Sequence, residues 1–108
     1  MMKEEEPNLE YIDQLSGDDA LFKQKFLLIL KEEFPLEQME YLESFRMKDG
    51  DRAAQIVHKL KHKFNILGLH QGYGLAVDYE EALHKGDFGL NPAFLDVLSR
   101  IEIYLKTI

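Results

Sequence analysis

Between Asp19 and Lys48 the apolar residues Phe22, Phe26, Ile29, Leu30, Phe34, Leu36, Met39, Leu42 and Phe45 recur mostly at three- and four-residue steps. That is the period of a helix with one face turned to a core, and no stretch of the chain sustains the alternation of a strand. Pro35 falls inside the pattern. Lacking an N–H and crowding the turn before it, it is expected to kink the long helix or divide it in two. Leu9, Ile12 and Leu15 predict a short helix over residues 8–15, broken at Ser16-Gly17, with Asp18 as the next cap. Asp49-Gly50-Asp51 reads as a stop followed by a fresh cap. A third helix is expected over 51–67, with Ala53, Val57, Leu60, Phe64 and Leu67 on one face and Gly68 at its end. A fourth is expected over 70–85, despite Gly72 and Gly74, closing at Gly86. Asn91-Pro92 supplies a cap and a first-turn proline for the last helix, which carries Phe94, Leu95, Leu98, Ile101, Ile103 and Leu105. The expected fold class is all-α: an antiparallel four-helix bundle with an additional short N-terminal helix, forming one domain over residues 1–108.

Composition narrows the function. A chain of 108 residues with 45% hydrophobic and 31% charged residues has the balance of one globular domain. There is no cysteine, which excludes disulfides, thiolate metal sites and cysteine nucleophiles. Twenty acidic residues against 13 basic ones leave a net charge of −7, the wrong sign for a protein whose main partner is nucleic acid or anionic lipid. The longest apolar run, Phe26-Leu27-Leu28-Ile29-Leu30, is far too short to cross a bilayer. The opening Met1-Met2-Lys3-Glu4-Glu5-Glu6 lacks the apolar stretch of a signal peptide, so a cytoplasmic location is expected, with the glutamates as a frayed, solvated end. The aromatics Phe22, Phe26, Phe34, Phe45, Phe64, Tyr73 and Tyr79 read as packing residues.

The third helix is the least generic segment. With its core direction set by Val57, Leu60, Phe64 and Leu67, helical rotation of about 100° per residue puts Ala54, His58, Lys61, His62 and Asn65 on a separate stripe, away from the core. A neutral imidazole is a good nucleophile, and a lysine three residues on can hold an anionic group beside it by charge and hydrogen bond. That pairing suits phosphate.

Hairpin register adds a third residue. The turn to the fourth helix lies near Gly68-Leu69; His58 is eleven residues before Leu69 and Glu80 eleven after it. In an antiparallel hairpin the two stand at nearly the same height. Gly72 and Ala76 share Glu80's side of the fourth helix and are small enough to let the backbones approach. Glu80, or failing it Glu81, is therefore expected to accept a hydrogen bond from one ring nitrogen of His58, fixing the tautomer and freeing the other nitrogen to attack.

The run Val57-His58-Lys59-Leu60-Lys61, with Gly68 ten residues beyond the histidine, resembles the signature of the histidine-containing phosphotransfer (HPt) domains. Gly17-Asp18-Asp19 and Asp49-Gly50-Asp51, bracketing the long helix, are similar to the same family, so the likeness spans nearly the whole chain. The resemblance implies a phosphoryl carrier and not an autonomous kinase. It makes His58 the phosphoacceptor, Lys61 the phosphate-steadying cation and Glu80 the histidine-orienting residue. It further implies transfer from the aspartate of one receiver domain to that of another in a multistep phosphorelay. The implied partners are receiver domains of response regulators or hybrid histidine kinases, with His62, Asn65, Gly68 and Leu69 flanking the docking surface. The carrier would be a monomer without a cofactor of its own, magnesium residing on the receiver.

The chain departs from that family after Lys61, where glycine and small residues are usual and His62, Lys63 and Phe64 stand instead. His62 would narrow access, contact a particular partner or join a metal site. His58 and His62 have the i, i+4 spacing of a zinc pair, which His70, His84 or Glu80 would have to complete; no dedicated metal site is expected. Two rivals to the phosphorelay reading are a receiver-binding adaptor that transfers nothing and a metal-binding bundle.

Overall fold

A computed structural model of the chain describes residues 5–108. Among these the helices, in chain order, are α1 (Glu10–Ser16), α2 (Ala20–Arg46), α3 (Gly50–Ile66), α4 (His70–His84) and α5 (Asn91–Leu105), and there is no strand. The expectation placed on Met1 to Glu4 lies outside the described residues.

Local chemistry explains most boundaries. Asp19 caps α2, its carboxylate accepting the Phe22 N–H at 2.9 Å; the cap is therefore one residue later than Asp18. Asp49 does the same for α3 through the Arg52 N–H at 3.1 Å. Gly68, with φ +77°, makes the reversal between α3 and α4 in a region that side-chain-bearing residues avoid. Asn91 does not cap α5. Its amide is buried, and its Oδ1 accepts the Tyr41 hydroxyl at 2.6 Å. Pro35 does not divide α2, which runs unbroken through it. Burial of Leu30 and Phe34 before the proline, and of Tyr41 after it, keeps both halves helical against the loss of a backbone bond.

The core takes Leu30, Phe34 and Tyr41 from α2, with Val57, Leu60 and Phe64 from α3. Ala76, Tyr79 and Leu83 come from α4, and Phe94, Leu98 and Ile101 from α5. The apolar periodicity of α2 is wider than the stripe it buries: Phe22, Ile29, Leu36, Met39 and Leu42 are exposed, as is Ile103 on α5. At the centre, Tyr41, Tyr79 and Phe94 pack with ring centroids 4.9–6.2 Å apart. The two phenol oxygens lie 2.6 Å from each other; Tyr41 donates to Asn91, so Tyr79 donates to Tyr41, and each hydroxyl is satisfied. Burial and the Tyr79 contact push the Tyr41 phenol well above its ordinary range, keeping it a donor.

α3 and α4 form the closest pair and run antiparallel. Gly50 meets Leu83 at one end, and Phe64 meets Gly72 at the other. A methyl group on Gly50 would run into the Leu83 carbonyl, so the two backbones touch there. The N-terminal strap is anchored, contrary to the frayed end expected of Glu5. Its carboxylate accepts the N–H groups of Gln71 and Gly72 at 2.8 and 3.0 Å, satisfying the open start of α4. Asn8 donates its backbone N–H to the Leu67 carbonyl at 2.8 Å. Among the described residues no helix is long and apolar enough to cross a membrane.

Candidate functional site

The antiparallel register of α3 and α4 brings His58 and Glu80 together. His58 Nδ1 lies 2.8 Å from Glu80 Oε1, so the hydrogen bond expected from counting outward from the turn is present, and Glu80 rather than Glu81 makes it. The second oxygen, Oε2, accepts Lys61 Nζ at 2.9 Å. One carboxylate thus bridges the histidine and the lysine, and this link was missed from sequence. Its signal was available, since a residue three positions beyond His58 sits about 60° back around the helix, on the α4 side.

The electrostatics follow from that bridge. Partial burial alone would push the Glu80 carboxyl up, but the hydrogen bonds from Lys61 and then His58 outweigh it and hold the group below its ordinary range. An ionised carboxylate only accepts, so the proton in the 2.8 Å contact is assigned to His58 Nδ1. In the neutral ring, Nε2 then carries the lone pair. The His58 side chain remains 54% exposed and the Lys61 side chain only 13%, so the imidazole is open to an incoming molecule while the ammonium is tucked behind it. Tyr73 borders the ammonium from α4, with Lys61 Nζ 5.9 Å from its ring centroid; this tyrosine is half-buried beside the site rather than a core residue.

The remaining stripe residues divide. Ala54 is buried in the core, because α4 approaches α3 so closely at that end that a position well off the core direction is still covered. His62 and Asn65 are exposed, and the His62 ring stands edge-on to His58 with centroids 5.1 Å apart and planes at 89°. Leu69 is 1% exposed and belongs to the hairpin core, not to a docking surface, since the turn folds it inward. Gly68 is half-buried, with the Asn8 side chain lying against it. Lys63 turns away from the site altogether and forms ion pairs with Glu37 at 2.8 Å and Glu33 at 3.3 Å on α2.

For a metal, His58 and His62 would need a third ligand. His84 is paired with Asp51 at 3.0 Å near the other end of the hairpin, and among the described residues no group of three or more His, Asp or Glu side chains is arranged to hold an ion. The arrangement offers a nucleophilic nitrogen, a carboxylate that sets its tautomer, and a lysine that fixes the carboxylate. No protein-family model, no curated protein and no solved structure matches the chain.

Proposed function

We propose that the chain is a histidine phosphotransfer protein in which His58 accepts a phosphoryl group at Nε2 and hands it on. The observation that carries the reading is the single Glu80 carboxylate shared between His58 Nδ1 and Lys61 Nζ, beside an exposed imidazole. In the forward step the Nε2 lone pair attacks the phosphorus of a receiver's aspartyl phosphate. A P–N bond forms, the acyl P–O bond breaks, and the receiver's carboxylate leaves with the electron pair. The ring then carries an extra positive charge with its proton still on Nδ1, where the Glu80 carboxylate offsets it. Attack by a second receiver's carboxylate reverses the bonds and regenerates the neutral ring. Magnesium on the receiver would supply the charge neutralisation at phosphorus that the chain itself does not.

Lys61 takes a different part in this proposal from that of a free phosphate-steadying cation. Its amine donates one N–H to Glu80 and acts on the imidazole through that carboxylate as a positioning residue, with further N–H groups left for phosphate. The bundle is read as four antiparallel helices with α1 packed outside them, and α3 and α4 present the site on one flank. A shallow apolar groove between α2 and α3, lined by Phe26, Ile29, Leu30, Glu33, Lys63 and Ile66, adjoins the exposed side of α3 and offers a receiver a surface to rest on.

Intact mass after treatment with a small phosphoramidate donor tests the reading. Wild type is expected to gain one acid-labile phosphoryl group, and His58→Gln, at an exposed position, to fold normally and gain none. Absence of uptake from both the small donor and a phosphorylated receiver, by a folded chain, would overturn the proposal in favour of an adaptor that only binds.

A further inference from the structure

The phosphoryl oxygens on His58 need a hydrogen-bond donor. Lys61 stands on the α4 side, its side chain 13% exposed and its ammonium turned to Glu80 Oε2 at 2.9 Å, so the outer side of the ring needs a donor of its own. Helix geometry brackets His58 between two neighbours: Lys61 about 60° to one side, facing α4, and His62 about 40° to the other, facing away from it. Glu80 holds Nδ1 toward α4, which leaves Nε2, across the ring, directed to the outer side. Side chains on a helix lean toward its N-terminus, so the His62 ring comes back over the turn that bears His58. The recorded contact agrees, with ring centroids 5.1 Å apart and planes nearly perpendicular. Among the described residues no hydrogen bond or ion pair engages His62, while its ring must carry at least one N–H.

We infer that His62 is a phosphoryl-binding residue, donating its ring N–H to an oxygen of the phosphoryl group on His58 Nε2. This role rests on the reading of His58 as acceptor and adds to it. The phosphoryl group on nitrogen presents three strongly accepting, negatively charged oxygens, and a ring N–H beside them makes a charge-assisted hydrogen bond in the resting phosphohistidine. That bond stabilises the loaded state before a receiver and its magnesium arrive, and it lengthens the life of the phosphohistidine.

The test is the half-life of phosphorylated protein at fixed pH after the phosphoramidate is removed, for wild type, His62→Ala, His62→Phe and His62→Gln. Phenylalanine keeps the ring and removes the donor; glutamine keeps a donor and removes the ring. Alanine and phenylalanine are expected to shorten the half-life about fivefold, and glutamine to return it to within about twofold of wild type. A wild-type half-life in the alanine variant overturns the inference. So does a wild-type half-life with phenylalanine, which would assign the effect to ring bulk, or a glutamine variant as short-lived as alanine. In all of these outcomes wild type still loads on His58 and the carrier reading stands. A wild-type chain that takes up no phosphoryl group, or a His58→Gln variant that does, overturns the acceptor reading and the His62 role with it.

Discussion

Lys61 and Lys63 leave α3 two residues apart, and each ends on a glutamate of a neighbouring helix. Lys63 reaches α2 and meets Glu37 and Glu33; Lys61 reaches α4 and meets Glu80. Both lysine side chains are largely hidden, at 10% and 13% exposure, and the two ion pairs are of similar length. The difference lies in what the glutamate does with its other oxygen. On the α2 side, among the described residues, the Glu37 carboxylate goes on to no further hydrogen-bond or ion-pair partner beyond Lys63. On the α4 side the carboxylate continues to an imidazole that is open to solvent. A half-buried ion pair between helices is thus no sign of function by itself. It becomes one when it sets the protonation of a reactive atom.

That contrast can be broken from either end. The largest expected effect is on stability. Lys63→Ala leaves the largely covered Glu37 carboxylate without its cation, and unfolding by denaturant should show a loss of about 3 kcal/mol, with phosphoryl uptake at His58 from a small phosphoramidate unchanged. Reduced uptake at full occupancy of the folded state would show the two pairs to be coupled. Next comes Glu80→Ala, which releases the tautomer and should slow loading from a phosphoramidate about tenfold in a chain that still folds. Glu80→Gln should recover most of that rate, since its carbonyl oxygen can still accept from Nδ1. Lys61→Ala acts one step further away and should slow loading about threefold; a loss as large as that of Glu80→Ala would return the lysine to direct contact with phosphate.

The smallest effect concerns acid. The Glu80 carboxyl is depressed in the folded chain, so its stabilising contribution is complete above the ordinary value of 4.5 and disappears as pH falls through the depressed one. Wild type should exceed Glu80→Gln in stability by about 1 kcal/mol at pH 6, a figure reduced for partial exposure, and by nothing measurable at pH 2. A difference that survives at pH 2 would mean that the ion pair is not its source.

Much of this was legible in the chain because helices declare their ends. Asp49 and the glycines at 17, 68 and 86 mark breaks with chemistry that few other residues supply, and counting from one such break placed Glu80 opposite His58. What escaped were choices decided by tertiary packing. Asp18 and Asp19 are equivalent as caps until the chain direction before α2 is known. Asn91 is a good cap by type, but a buried tyrosine hydroxyl claims its oxygen. Leu69 follows a glycine at a turn, where the sequence allows both a docking surface and the hairpin core, and packing puts it in the core. Lys61 stood on the right stripe, but its bond to Glu80 was not foreseen, because a four-carbon stem can deliver its amine to either side of a histidine. Glu5 lies 66 residues from the amide N–H that it caps, a separation no local pattern spans.

The contact of Gly50 with the Leu83 carbonyl has a consequence for how the site tolerates change. Towards the end of the hairpin, one turn beyond Glu80 on α4 and about two turns before His58 on α3, main chain touches main chain, a stop set by the backbones themselves. Substitutions over the exposed faces of α3 and α4 leave that stop alone, so those faces are free to vary while the contact between Glu80 and His58 is kept. Gly50 is where this freedom ends. A single added methyl would act like a shim in a hinge, forcing the two helices apart at that end without altering any residue of the site.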